Sequence, residues 1–300
     1  MINRLLILAM IPAWVWVILA VTTGLLGVIV ILVLVVGGAT SSIASDLHYQ
    51  CDSAVGPDPA LTETATPTAT ADSGARSGRS AALPSAMPTT NPYAQLTFAP
   101  EDTSVSEWQR TCVSALKSAP YQAAPLQTAN TGFVAECAQK LALAQLGPSY
   151  ETAAGSSGGL AADLAAMGRS VIYQASAASA TGRCELPTAG GGNRLEAGSG
   201  TQGSATAGKP CGQLTAGAAV VELPNTLAGQ ASCGQRVDPA AVSAGDLVFW
   251  DYRNSAPTRS GIAVSRTEII TVDPVTGRTV EETMPTGRDV RVKRVLGGGL

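Results

Sequence analysis

The pattern of apolar residues is densest near the start of the chain. Residues 5–36 contain no charged side chain, and about 20 apolar residues suffice to span a bilayer. Proline is tolerated in the first turn of a helix, so Pro12 suits the start of such a span. We therefore predict a cytoplasmic tail over residues 1–12 and a transmembrane helix over residues 13–36. A cleaved signal peptide is the alternative, but its apolar core of about 7–15 residues is shorter than this run.

The segment after this run is rich in small and hydroxyl-bearing residues. Over residues 52–92, Ala, Thr, Ser and Pro dominate and large apolar side chains are few. Such a composition buries too little apolar surface to offset the entropy of an ordered chain. We predict that this stretch is disordered, within a linker over residues 37–100 that joins a single membrane span to the folded domain. The folded domain is placed outside the cytoplasm, because Arg4 precedes the span and Asp46 follows it.

Beyond residue 100, apolar positions first recur with a helical period. Trp108, Cys112 and Leu116 are spaced four residues apart, which places them on one face of a helix. A second helical pattern covers about residues 131–146, and the Gly-Pro pair that follows is a strong stop signal. Because Cys112 and Cys137 fall on the apolar faces of neighbouring helices, we predict a disulfide between them that contributes about 3 kcal/mol.

The last quarter of the chain alternates with the period of two that is typical of strands. Residues 237–264 predict a tight turn at Gly245, a strand, a loop and a returning strand. By alternation, Leu247 and Phe249 face one side of the sheet, whereas Val248, Trp250 and Tyr252 face the other. Three further short strands are predicted at residues 268–272, 278–284 and 289–295.

These elements predict an α+β fold in which helices pack on a small antiparallel sheet. The folded domain covers residues 101–300 and carries a Gly/Ser-rich insertion at residues 188–208. The basic residues of the last strand leave two interpretations open. Arg291, Lys293 and Arg294 form either a basic edge that attracts acidic polymers or an edge strand that charge protects from pairing.

The charge balance and the cysteines restrict the class of protein. A net charge of −3 gives no basic footprint for nucleic acid, and we predict no cofactor and no metal site. All six cysteines lie beyond the apolar run, as expected for an oxidising exterior. Cys184 and Cys211 bracket the insertion and are natural disulfide partners. Cys51 and Cys233 then pair with each other or stay free, because six cysteines permit fifteen connectivities.

Three motifs, in order, resemble the NlpC-type cell-wall cysteine peptidases. Leu143–Gly147 with Tyr150 is similar to the family's Ala-x-x-Gln-Leu-Gly-x-x-Tyr, and Glu222–Gln230 to its Leu-Pro-Arg-Thr-x-x-x-Gln. Gly245–Phe249 reads Gly-Asp-Leu-Val-Phe, as in the family, and Gly261 opens a returning Gly-Ile. The resemblance covers roughly the last half of the chain. It implies a papain-like fold and a target in cell-wall peptidoglycan.

The resemblance also implies a nucleophile at the start of a helix. In the family a Cys stands there, and a His from the returning strand takes its proton. This chain offers Cys211, in Pro-Cys-Gly-Gln-Leu, or Ser157, in Ser-Ser-Gly-Gly-Leu, where Ser would replace the Cys. The distance from Cys211 to Gly245 along the chain fits the family better. A disulfide to Cys184 would, however, remove Cys211 as a nucleophile.

The catalytic base of the resembled family is missing. Its His falls on Arg259, its later polar partner falls near Thr271, and the only histidine of the chain is His48. With a pKa above about 12, an arginine cannot shuttle protons, and losing the general acid–base costs roughly 10²–10⁴ in rate. We therefore predict a degenerate, catalytically inactive site.

Three functions remain open at this point. The first is a membrane-anchored module outside the cytoplasm that binds peptidoglycan or an envelope protein without cleaving it. The second is a structural subunit of an envelope secretion or transfer assembly, in which the fold serves only as a scaffold. The third is an active cell-wall peptidase or amidase that uses Cys211.

Overall fold

The computed structural model describes residues 43–60, 91–147, 159–186 and 220–297. The chain divides into two units, Met1–His48 and Tyr49–Leu300. In the first unit, residues 43–48 are helical. The helices of the second unit are α1 (residues 49–55), α2 (Glu107–Leu116), α3 (Phe133–Leu143), α4 (Gly159–Thr181) and α5 (Leu227–Ala231). Its strands are β1 (Gln235–Arg236), β2 (Leu247–Arg253), β3 (Ala256–Ala263), β4 (Glu268–Val272), β5 (Thr279–Thr283) and β6 (Arg291–Arg294).

The strands form one six-stranded sheet with the order β1-β6-β2-β3-β4-β5. Every neighbouring pair is antiparallel. The β2–β3 hairpin closes at Asn254 and Ser255, whose φ angles of 50° and 60° suit a two-residue turn of the type that follows the twist of the strands. Gly245 has φ 85° and its N–H donates to the carbonyl of Ala263 at 2.9 Å, so the predicted turn before β2 is confirmed.

The two faces of the sheet carry two separate apolar clusters. On one face, Leu247, Phe249 and Ile262 pack against the buried sides of α3 and α4. On the other, Val248 and Ile269 pack with residues of the segment that joins β1 to β2. The alternation along β2 was therefore predicted correctly as far as Trp250.

Tyr252 departs from the predicted alternation. The residue before it, Asp251, has φ 55°, a left-handed conformation that interrupts the extended backbone. As a result Tyr252 packs on the cluster of Phe249 rather than opposite it. Its ring lies directly on Gly56, where an added Cβ would come within 2.2 Å of the ring. A glycine is thus required at this position by close approach as well as by its φ of 87°.

The predicted fold class needs one correction. Among the ranges that the structure describes, no helix is long and apolar enough to cross a membrane. The longest, α4, has 23 residues but includes Asp163 and Arg169, and it uses one apolar side to pack on the sheet. The described fold is α+β, with helices on an antiparallel sheet and without a membrane-spanning helix. Residues 13–36, on which that prediction rested, lie outside the described residues.

The disorder predicted for residues 52–92, within the linker over residues 37–100, is wrong at its start. Residues 49–55 are helical, and Gln50, Cys51 and Val55 are buried in the second unit. Gln50 donates its side-chain amide to the carbonyl of Gln122 at 2.8 Å and accepts from the N–H of the same residue at 2.8 Å. This segment is fixed by hydrogen bonds and a disulfide, so its lack of large apolar residues did not prevent order.

Candidate functional site

Arg259 is the residue that the sequence resemblance aligns with a catalytic histidine, and it contacts two neighbouring side chains. It lies on β3 opposite Trp250 of β2, and its guanidinium carbon is 5.3 Å from the centre of that ring. Its Nη2 lies 3.9 Å from Oε2 of Glu282 on β5. Stacking on an aromatic ring and pairing with a carboxylate both favour the charged guanidinium. Arg259 is a permanent cation in this arrangement and cannot itself accept a proton.

Thr271, the second position that the resemblance singled out, is used by the sheet itself. It lies on β4 opposite Gly261, its side chain is 0% exposed, and its hydroxyl donates to the carbonyl of Ser260 at 2.8 Å. A buried hydroxyl with a satisfied donor has no reason to interact with a ligand. Arg259 and Thr271 therefore lie on adjacent strands, but they form no acid–base pair.

Both nucleophile candidates, Cys211 and Ser157, lie outside the described residues. Within the described ranges, no group of three or more His, Cys, Asp or Glu is placed to hold a metal ion.

The cysteines form disulfides as predicted, but the predicted pairs are wrong. Cys112 bonds to Cys51 with a Cα–Cα distance of 5.1 Å, and Cys137 bonds to Cys184 with a Cα–Cα distance of 5.5 Å. The first bond ties α1 to α2, and the second ties α3 to the segment after α4. Cys112 and Cys137 do lie on the buried sides of their helices, yet those sides face different neighbours.

The third pairing is a prediction by elimination. Cys233 is disulfide-bonded as well, and Cys211 is the cysteine that the two other pairs leave over. We predict that peptide mapping of the unreduced chain will recover a Cys211–Cys233 cross-linked peptide and no alkylated Cys211. An alkylated, reactive Cys211 would contradict this pairing and would restore a nucleophile.

The segment that resembles Leu-Pro-Arg-Thr-x-x-x-Gln has a structural role. Thr226 caps α5, because its hydroxyl accepts the N–H of Gly229 at 3.2 Å. Gln230 is 1% exposed and donates to the carbonyls of Ala165 at 2.8 Å and Pro224 at 2.9 Å. It thereby joins α5 to α4.

A buried ion pair fixes the turn before β2. Arg294 donates to both carboxylate oxygens of Asp246, at 2.7 Å and 2.8 Å, and Asp246 is 0% exposed. The same guanidinium donates to the carbonyls of Thr128 at 2.7 Å and Ala241 at 3.0 Å and to the hydroxyl of Ser243 at 2.7 Å. Asp246 also accepts the N–H of Ser243 at 2.9 Å within the same turn.

The other two basic residues of β6 are buried as well, so both interpretations of a basic edge are wrong. β6 lies between β1 and β2, and Arg291 and Lys293 are 7% and 0% exposed. Asp52 of α1 bonds Arg236 of β1 at 2.5 Å and also bonds Arg291. We name Asp52, Arg236, Arg291 and Lys293 the basic cluster.

Burial and neighbouring charges shift two pKa values within the basic cluster. Burial lowers the pKa of Lys293 to about 7, and the charges of Arg236 and Arg291 act in the same direction while Asp52 opposes them. Burial alone would raise the pKa of Asp52, but the hydrogen bond and charge of Arg291, together with Arg236, hold it below its usual range. Asp52 is therefore ionised at neutral pH, and Lys293 gives up its proton more readily than an exposed lysine.

An open groove of about 540 Å³ lies between α1, α2, α5 and the β2–β3 turn. Arg110 is the one charged residue among its lining residues, all of which lie in the described ranges; its guanidinium donates to the carbonyl of Ala99 at 3.2 Å and to that of Asp102. The small residues Ala54, Val55, Ala115 and Ala228 supply apolar wall. Five hydroxyl-bearing residues complete the lining with Gly229: Thr111, Ser114, Ser118, Ser232 and Ser255.

The groove suits a neutral or weakly acidic polar chain. Hydroxyl groups both donate and accept hydrogen bonds, and they match the amide and hydroxyl groups of peptides and sugars. Sequence reasoning did not find this site, because its residues come from four separated segments and belong to the commonest small types. Spacing along the chain carries no signal for such a surface.

Comparison with known proteins adds no family. Neither a protein-family model nor a characterised protein matches this sequence. The likeness to NlpC-type peptidases rests on the three sequence motifs alone and stays a prediction.

Proposed function

We propose that this chain is a disulfide-stabilised module that works outside the cytoplasm and binds its target without cleaving it. The target that the sequence motifs favour is cell-wall peptidoglycan, with an envelope protein as the other possibility. The observation that carries the proposal is the state of Arg259. At the position of the catalytic histidine, a permanently charged side chain is stacked on Trp250 and paired with Glu282.

Two further observations support the proposal. The Cys51–Cys112 and Cys137–Cys184 bonds favour an oxidising compartment, because cytosolic thiols are kept reduced. If Cys211 forms the predicted bond with Cys233, which is disulfide-bonded, the chain has no free thiol at this position to act as a nucleophile. An active peptidase that uses Cys211 is therefore the least favoured of the three functions.

We propose that the groove beside α2 is the binding surface. Peptidoglycan offers amide, hydroxyl and carboxylate groups, which the hydroxyl lining and the cation of Arg110 complement. No nucleic acid is expected as a partner, because the net charge of the chain is −3.

The test is retention of the full chain on purified sacculi. Ser114 lies in the groove on the exposed side of α2, so Ser114→Trp fills the groove without disturbing the core. We expect it to weaken retention roughly tenfold, the equivalent of about 1.4 kcal/mol. Lys117→Trp is the matched control, because Lys117 is also exposed, follows α2 directly and lies outside the groove lining.

The outcomes separate the three functions. Equal retention of both variants would reject the groove as the binding surface. No retention of the unaltered chain would reject wall binding and favour a structural subunit of an envelope assembly. Release of stem peptides from the sacculi would reject the absence of catalysis.

A further inference from the structure

The end of α1 lies over the three members of the basic cluster that belong to the sheet. In the register of the sheet, Arg236 of β1 stands opposite Lys293 of β6, and Arg291 lies two residues earlier on the same face. Asp52 of α1 bonds both arginines. A carboxylate that bridges the residues flanking Lys293 places α1 above the lysine, which is 0% exposed.

Lys293 is enclosed without a hydrogen-bond partner for its Nζ. The charged groups that face it are Arg236 from β1, Asp52 from α1 and Arg291 from β6 itself. Tyr252 from β2 faces the same three charged residues and Asp289, and burial raises the pKa of its hydroxyl, so it stays neutral. A proton on Lys293 adds a third positive charge against one carboxylate, in a place that water does not reach.

Residues 49–56 make other contacts as well. The hydroxyl of Tyr49 donates to the carbonyl of Ala123 at 2.9 Å, and Arg236 lies 5.3 Å from the centre of the Tyr49 ring and donates to the hydroxyl of Ser53 at 3.4 Å. Beyond the Gln50–Gln122 pair and the disulfide, the carbonyl of Gly56 accepts the indole N–H of Trp108 at 3.0 Å. Opening of residues 49–56 would leave the Cys51–Cys112 bond intact and would let water reach the lysine. A local opening of this kind costs less than global unfolding.

We propose that residues 49–56 form a pH-sensitive latch, which Asp52 holds closed over the sheet while Lys293 is uncharged and which loosens when Lys293 takes up a proton. The sign follows from linkage. The lysine has a pKa of about 7 under the closed latch and an ordinary value of 10.5 once hydrated. Between these two pH values the open state therefore binds more protons than the closed state, so the free energy of closure becomes more favourable as the pH rises from 7 towards 10. Below pH 7 closure is weakest and does not change with pH, because the lysine is protonated in both states.

The latch also bears on the groove. Ala54 and Val55 lie in the latch and line the groove, so opening removes one wall. Ligand retention should then fall as the pH drops from 8.5 to 7. This consequence rests on the proposed function, whereas the latch itself does not.

Hydrogen exchange on the full chain tests the latch without any ligand. After correction for the intrinsic exchange rate, we expect the protection of residues 49–56 to be roughly fifteenfold higher at pH 8.5 than at pH 7. Lys293→Met keeps the volume and removes the proton site, so its protection should be high and equal at both pH values. Asp52→Asn should lower protection at both. Strand β3 (Ala256–Ala263) is the internal control and should change little.

Three results would overturn the latch. They are pH-independent protection of residues 49–56 in the unaltered chain, the same pH dependence in Lys293→Met, and an equal change in β3, which would indicate global unfolding. Retention on sacculi is measured separately at the same two pH values. A pH-dependent latch in a chain that sacculi do not retain would leave the latch standing and reject the proposed function.

Discussion

Replacing Arg294 by methionine should lower the free energy of unfolding by about 3–5 kcal/mol, the usual cost of breaking a buried ion pair. The guanidinium neutralises Asp246, which is 0% exposed, and satisfies the carbonyls of Thr128 and Ala241. Without it a charged carboxylate stays buried with the N–H and hydroxyl of Ser243 as its remaining donors. Denaturant unfolding monitored by circular dichroism measures the loss.

A double-mutant cycle distinguishes a lost ion pair from lost packing. Asp246→Leu combined with Arg294→Met removes both charges, and it should recover part of the stability that the single Arg294 variant loses. Arg266→Met is the matched control, because Arg266 is exposed in the turn between β3 and β4 and should change stability by less than about 0.5 kcal/mol. A single variant as stable as this control would mean that the pair does not fix the turn.

The period of the apolar residues was enough to predict the helices α2 and α3 and most of the sheet. Their buried sides carry Trp108, Cys112, Cys137 and Leu141, as the helical spacing indicated. The turn at Gly245 could be predicted because glycine readily adopts the positive φ of a tight turn, and an alternating strand pattern follows it. These are local signals, and each depends on residues within one turn or one strand of one another.

The position of β6 within the sheet could not be predicted from such local signals. Its charged residues suggested an edge, but β1 pairs along its outer side through only two residues, Gln235 and Arg236. Two residues carry no periodic signal. Arg294 can be buried because its guanidinium donates to acceptors from distant parts of the chain. Two of these acceptors are the carbonyl of Thr128 and the carboxylate of Asp246. Pattern alone cannot show that a basic strand is enclosed.

The average composition of residues 37–100 did not reveal the latch. Over residues 37–100 the composition is that of a linker, and the short ordered piece at 49–56 contributes few large apolar residues to it. What holds this piece is specific: a carboxylate between two arginines, a glutamine matched to Gln122, and one half of a disulfide. The groove that it helps to line was invisible for the same reason.

The disulfide partners show the limit of reasoning from helix faces. The spacing correctly placed Cys112 on a buried side of α2, but a buried side is shared by every neighbour of that helix. The nearest cysteine in sequence on another apolar face is Cys137, and that choice was wrong because Cys112 bonds Cys51 of α1 instead. A pairing needs tertiary geometry, which the pattern does not contain.

Removing the Cys51–Cys112 bond by a double substitution to alanine should lower the free energy of unfolding by about 4 kcal/mol. The two cysteines are 61 residues apart, and in the chain-entropy view the loss grows with the length of the loop that the bond closes. Thermal and denaturant unfolding of the oxidised protein measure the change. The matched control is the double alanine variant of Cys137 and Cys184, which closes a loop of 47 residues and should lose a similar amount.

Hydrogen exchange separates the two double variants even where their stabilities agree. Loss of Cys51–Cys112 releases residues 49–56 from α2, so protection of that segment should fall more than that of strand β3. Loss of Cys137–Cys184 should leave the segment closed, because Asp52 still bonds Arg236 and Arg291. Equal loosening of residues 49–56 in both variants would mean that the Cys51–Cys112 bond stabilises the protein only by restricting the unfolded chain. The ion pairs of Asp52 would then be the contacts that hold the latch on the sheet.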